Sequence, residues 1–172
     1  MKISMKQMII IIAIAIILLI ICLGANIYRW KIEEERRKTL INYVYALSNI
    51  PFGEISDIGS TIKYLIDHNA TDEILRYQIS IYFHNTRILS YSSAMLQILT
   101  GDEKYRLFLL AMNNLKSFLI TVKNKPNIRE ILRDNLDILS RIEEMFESIS
   151  RIGNLTFDEA EKIFELSGKL KY

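Results

Sequence analysis

The chain has 172 residues, 22 basic and 20 acidic, for a formal net charge of +2. Apart from Lys2 and Lys6, every charge lies beyond residue 28, so the long C-terminal part is formally neutral, which excludes nucleic acid as a bulk electrostatic partner. The single cysteine, Cys22, excludes a disulfide scaffold within one chain.

Residues 7–28 carry no charge. As a helix rising about 1.5 Å per residue the run is about 33 Å long, close to the roughly 30 Å hydrocarbon core of a bilayer. In lipid a helix satisfies all its backbone groups internally. Tyr28 and Trp30 come directly after it, as interfacial anchors of the kind that sit at headgroup level. A cleavable secretory signal is the rival reading. The apolar run exceeds the roughly 7–15 residues of a signal's hydrophobic region, and Cys22 and Leu23 occupy the places where a small residue would be needed for cleavage after Gly24 or Ala25. Residues 1–28 are therefore read as an N-terminal tail and transmembrane anchor in contact with membrane lipid, and residues 29–172 as one domain.

The flanks disagree about direction. Lys2 and Lys6 precede the anchor, whereas Arg29, Lys31, Arg36, Arg37 and Lys38 come after it, and a count of Lys and Arg alone favours a cytoplasmic domain. Glu33, Glu34 and Glu35, however, stand three and four residues before basic partners, which reads as ordinary support for a solvated helix. The short basic tail before the run has the shape of a signal anchor. The adopted expectation is a single-pass cell-membrane protein with its domain on the outer side.

Beyond the anchor the chain reads as all-α, because apolar residues recur at helical spacing and no alternating stretch predicts a sheet. The anchor helix is expected to continue to about residue 49, carrying Leu40, Tyr43, Val44 and Leu47, and to stop at a turn over 49–54 that holds Pro51 and Gly53. The next helix spans 56–69, with Ser56 or Asp57 as its cap and Ile58, Ile62 and Leu65 on one face. Thr71 is the expected N-cap of the one after it, with Asp72 and Glu73 in its first turn.

That helix carries Ile74, Tyr77, Ile81, His84, Ile88, Tyr91, Met95 and Ile98 at alternating steps of three and four, the pattern of a bundle seam. Gly101 is the expected C-terminal cap and Asp102 the next start. Tyr105, Phe108, Met112, Leu115, Leu119 and Val122 form the stripe of the helix that Asp102 opens. From Pro126 one helix is expected to carry Ile131, Asn135, Ile138, Ile142, Met145, Ile149 and Ile152, and Thr156 caps a last one. Segment 101–125 has five basic and two acidic residues, and 126–153 has four basic and six acidic, so these two helices are expected to lie antiparallel with complementary rims.

Residues with chemistry are few. His84, between Tyr77 and Tyr91 on one face, is the candidate centre of a ligand pocket or pH-sensing group; the alternative is a core histidine hydrogen-bonded to a neighbour. His68 stands at a helix end, where an imidazole meets the last carbonyls. Two histidines and one cysteine offer no zinc-ligand pair at helical spacing, no Glu-x-x-His occurs, and there is neither a phosphate loop nor a nucleophile elbow. No catalytic, cofactor or metal residue is therefore assigned, and Glu143, Glu144 and Glu147 read as a solvated face. Asn135 either fixes register on its seam or sits at the seam's edge. The sequons at Asn69 and Asn154 are candidate glycosylation sites in loops, although their threonines also serve as caps.

The expectation is thus an N-terminal transmembrane helix continuing into an antiparallel helical bundle. Its leading function is a non-enzymatic, membrane-anchored interaction or scaffold protein that binds a protein partner or itself. The alternative is an extracytoplasmic ligand-sensing bundle with a pocket around His84.

Overall fold

The computed structural model describes residues 5–171, and among them there is no strand. The helices are α1 (Met5–Ile55), α2 (Ile58–Asp67), α3 (Asp72–Thr100), α4 (Glu103–Lys123), α5 (Ile128–Asp134), α6 (Leu136–Ser148) and α7 (Phe157–Ser167), with a 3-10 turn at Ile152–Asn154 between the last two. Contacts divide the chain into two units, one ending at Leu40 and the other beginning at Ile41.

The described part of the first unit is helix throughout. Its large apolar side chains, among them Ile9, Ile14, Leu19, Leu23 and Ile27, are exposed, as are Tyr28 and Trp30. The run is long and apolar enough to cross a membrane. Past it, Glu34 pairs with Arg37 at 2.7 Å and with Lys38 at 3.7 Å, the three- and four-residue spacing that supports an exposed helix by a few tenths of a kcal/mol per pair.

The second unit is an all-α bundle, opening with the last turns of α1. Here the helix does not stop near residue 49 but runs through Pro51 to Ile55. Proline in a helix interior removes one backbone hydrogen bond and crowds the preceding turn. Burial of Phe52 and Ile55, just past the proline, overrides that loss. Phe52 lies 4.9 Å from Phe146 and 6.3 Å from Phe108, ring to ring, and the latter two are 5.9 Å apart. This aromatic trio joins α1, α4 and α6, and each buried ring is worth about 1.5–3 kcal/mol in transfer alone. Val44, Ser48, Phe52 and Ile55 face inward, while Tyr43 and Leu47 stay exposed.

The turn therefore falls at Ser56–Asp57. Asp57 is the N-cap of α2 but makes no side-chain cap. Instead Glu143, from α6, accepts the N–H of Ser60 at 2.6 Å, and the Tyr82 hydroxyl donates to the Asp57 carboxylate at 2.8 Å. Glu143 is thus half-buried at a helix terminus, not on a solvated face. The approach of α2 to α6 is close: a Cβ at Gly59 would stand 2.6 Å from Ser140 Cα.

Thr71 accepts from the Ile74 N–H, Gly101 takes the left-handed conformation at φ 70°, and Asp102 accepts from the Lys104 N–H; each boundary expected of α3 is present. With a two-residue connection α3 and α4 lie antiparallel. Arg76 donates to the carbonyls of Lys123 and Lys125 at one end, and Ser90 donates to Asn113 at 2.9 Å near the middle. The α4 stripe is buried throughout.

The helix expected from Pro126 onward is broken in two at Asn135. Its side chain donates to the carbonyls of Ile131 and Lys171 and accepts the N–H of Lys171 at 2.9 Å. Asn135 is buried and clamps the C-terminal segment, and the helical ladder gives way there. The expected stripe is buried at Asn135, Ile142, Ile149 and Ile152, whereas at Ile131, Ile138 and Met145, which are half-buried, the neighbouring Leu132, Leu139 and Phe146 turn inward instead. α7 opens on a capping box of Thr156 and Glu159 and packs on α4 and α6. Because α4 is covered chiefly by α3 and α7, the complementary rims expected between segments 101–125 and 126–153 do not form: among the described residues no ion pair joins them.

This packing sets opposite expectations for two glycines. In an open helix interior Gly→Ala stabilises by about 0.5–1 kcal/mol. Gly53, with nothing near its Cβ position, should behave so. Gly59→Ala should instead cost about 1–3 kcal/mol by overpacking, and urea unfolding of the two variants reads the opposite signs. The buried phenols give a second expectation. Burial, reinforced by the Tyr45 hydroxyl at 2.7 Å, pushes Tyr105 above the usual tyrosine range, and burial does the same for Tyr82. The unfolded chain releases these protons near pH 10 while the folded chain retains them, so their contribution is intact below about pH 10 and falls as pH rises beyond it. Replacing both by Phe should cost about 1 kcal/mol each at pH 7 and flatten the alkaline decline of the melting temperature.

Candidate functional site: the outer face of α3

α3 has two apolar faces. One turns inward: Leu75, Ile79, Tyr82, Thr86, Leu89, Ser93 and Leu96 are buried, at alternating steps of four and three. Its aliphatic hydroxyls are satisfied within the helix, Thr86 donating to the Tyr82 carbonyl and Ser93 to that of Leu89, each at 2.7 Å. These small residues let the backbone of α3 approach its neighbour.

The other face is the one read from the sequence as the seam. The structure corrects that reading, because Ile74, Tyr77, Ile81, His84, Ile88, Tyr91, Met95 and Ile98 lie on the outside. Tyr77 is 69% exposed, Tyr91 63% and Ile98 83%; His84 is exposed, and Ile81 and Ile88 are half-buried. The spacing does place Tyr77, His84 and Tyr91 together, but on a ridge. The cavities described in the second unit are lined by other residues, such as Asn42, Tyr45 and Arg151, or Arg141, Lys162 and Lys169. His84 is neither in an enclosed pocket nor a core histidine.

The remaining candidates are dispersed. His68 caps α2, its Nδ1 2.9 Å from the Tyr64 carbonyl and its ring stacked on that of Tyr64. Asn69 is exposed in the left-handed region at φ 52°. Asn154 is exposed and donates to Ser150 at 2.7 Å. Among the described residues no group of three His, Cys, Asp or Glu is placed to hold a metal ion. Sequence reasoning missed a smaller exposed set, Tyr43, Leu47 and Ile50 on α1, whose spacing of four and three was the available signal.

The ridge offers apolar and aromatic area over about 36 Å of helix, with little charge. Flanking positions on its two sides are Glu73, Ser80, Arg87 and Ala94, and Gln78, Asn85, Ser92 and Leu99. Its exposed members are isoleucine, tyrosine and methionine, with His84 at the middle. No protein-family model, curated protein or solved structure matches this chain.

The phase of α3 has a direct test. Leu89→Ala, on the inward face, should lower the unfolding free energy by about 2–5 kcal/mol. Ile98→Ala, in protein dilute enough to hold no oligomer, should change it by no more than about 0.5 kcal/mol; guanidinium titrations compare the two.

Proposed function

We propose that this protein is a membrane-anchored interaction module without catalytic activity, held by the charge-free run of α1 and acting through the outer face of α3. The observation that carries this reading is the uncovered apolar ridge. Monomeric soluble proteins rarely leave a contiguous apolar patch of more than a few hundred Å² in water, and larger ones mark sites of association. Support for the anchor comes from the length of the uncharged run, the aromatic pair Tyr28 and Trp30 at its end, and the exposure of its apolar side chains. The bundle is proposed to face outward, with the sequons at Asn69 and Asn154 accessible there.

Topology provides the experiment. Gly168 is exposed, and a Cβ there meets its nearest atoms at 3.5 Å, an ordinary contact. In a Cys22→Ser background, Gly168→Cys should react with a membrane-impermeant thiol reagent in intact cells, and the chain should resist extraction with alkaline carbonate. Reaction only after lysis would reverse the orientation and leave the anchor standing. Release by carbonate would remove the anchor.

A further inference from the structure

We infer that the ridge on α3 is covered by the same ridge of a second copy, the two helices lying parallel and in register about a two-fold axis. This deepens the reading of the chain as an interaction module and rests on it. The register of the ridge supports such a pairing. Taking the steps of three and four as a heptad, Ile74, Ile81, Ile88 and Met95 fall at the a positions, and Tyr77, His84, Tyr91 and Ile98 at the d positions. Parallel two-stranded coils place β-branched residues at a beside leucine at d; here a carries three isoleucines, and d carries tyrosine, histidine and isoleucine in place of leucine. A stripe of this period is complementary to another helix of the same period, and a two-fold axis sets the same patch on both sides.

The area of the ridge agrees. Covering the five exposed apolar members, Ile74, Tyr77, Tyr91, Met95 and Ile98, completely would take roughly 700 Å² of each copy out of water, close to the roughly 800 Å² that each partner gives to a standard interface. Charge agrees as well. In parallel register Glu73 comes beside Gln78 of the second copy, Ser80 beside Asn85, and Arg87 beside Ser92, so no like charges oppose each other. A helix that lies on lipid carries Lys and Arg along its polar face. Among the described flanking residues Arg87 is the one free cation beside this ridge, since Arg76 is spent on the carbonyls of Lys123 and Lys125. His84 falls at the middle, facing His84 of the second copy. A polar layer at this position lowers the stability of the pair, and register is held by the ends, since a slip of one heptad would uncover Ile74 or Ile98.

The test uses the full chain in detergent micelles, with mass measured by sedimentation and helicity by circular dichroism. The wild-type chain should be a dimer. Ile81→Asp with Ile88→Asp should weaken association at least about tenfold with helicity kept, while Glu161→Lys on α7, exposed and remote in sequence, should change nothing. Should the double variant fail to fold, His84→Leu supplies the opposite sign, a dimer tighter by about tenfold through removal of the polar layer. His84→Cys in a Cys22→Ser chain should form an intermolecular disulfide on mild oxidation. A monomeric wild-type chain overturns the second copy as occupant, while the reading of the chain as an interaction module would still stand on association with another protein. A dimer that neither ridge variant alters, or that His84→Cys fails to cross-link, overturns the assigned face or register. Dissociation of the wild-type dimer on addition of anionic lipid to the micelles would make lipid the occupant and overturn the proposal. Each of these outcomes is independent of carbonate extraction, which reads the anchor.

Discussion

The bundle depends on how closely α3 can lie against its neighbour. Thr86, Ser90 and Ser93 are buried where larger side chains would hold the helices apart, and each hydroxyl finds an acceptor, two in the helix's own carbonyls and one in Asn113. A buried hydroxyl without a partner costs about 1–3 kcal/mol. With these bonds made, the small residues become spacers, and Leu75, Ile79, Tyr82, Leu89 and Leu96 can fill the interval between two backbones. The bulk that does not fit inward is left on the other side of the same helix.

Polar groups then fix what apolar burial leaves free. Burial is non-directional, so a helix with apolar residues on several faces can rotate or slide at little cost unless something else sets its register. Glu143 reaches the first turn of α2, Tyr82 reaches Asp57, and Asn135 holds Lys171 by both halves of its amide. Each bond joins residues far apart in sequence, and those of Tyr82 and Asn135 occupy buried polar groups. The aromatic contact of Phe52 with Phe146 acts in the same way on α1, holding the helix together past Pro51.

Element identity was readable from local chemistry, and phase was not. Thr71, Gly101, Asp102 and Thr156 are boundary residues because of bonds made within three or four positions of themselves, and the structure places all four as caps. Likewise, α4 buries the stripe its spacing picked out, since it lies between α3 and α7. α3 defeats the same reasoning. Its outer face is an unbroken run of isoleucines and aromatics but for Met95, whereas its inner face interrupts Leu75, Ile79, Tyr82, Leu89 and Leu96 with Thr86 and Ser93, so hydrophobicity alone selects the wrong side. The break at Asn135 was equally hidden, since its cause is a partner 36 residues away in the chain. Leu132, Leu136 and Leu139 continue a helical period straight across it.

The inversion on α3 also bears on why the ridge is there. Nothing in the packing of the second unit requires Ile98 or Tyr77 to be apolar, for both are more than two-thirds exposed. Polar residues at those positions would leave the core intact and lower the risk of unspecific association. The half-buried flanks Ser80, Gln78 and Ala94 point the same way: they carry no charge, although surface helix positions are where Lys and Glu support a helix at no cost to its core. A helix built only to close the bundle would have its large apolar residues within and its charges without. α3 has large apolar residues on both sides, with small hydroxyls set among the inner ones, a distribution that suits a helix packed on both faces.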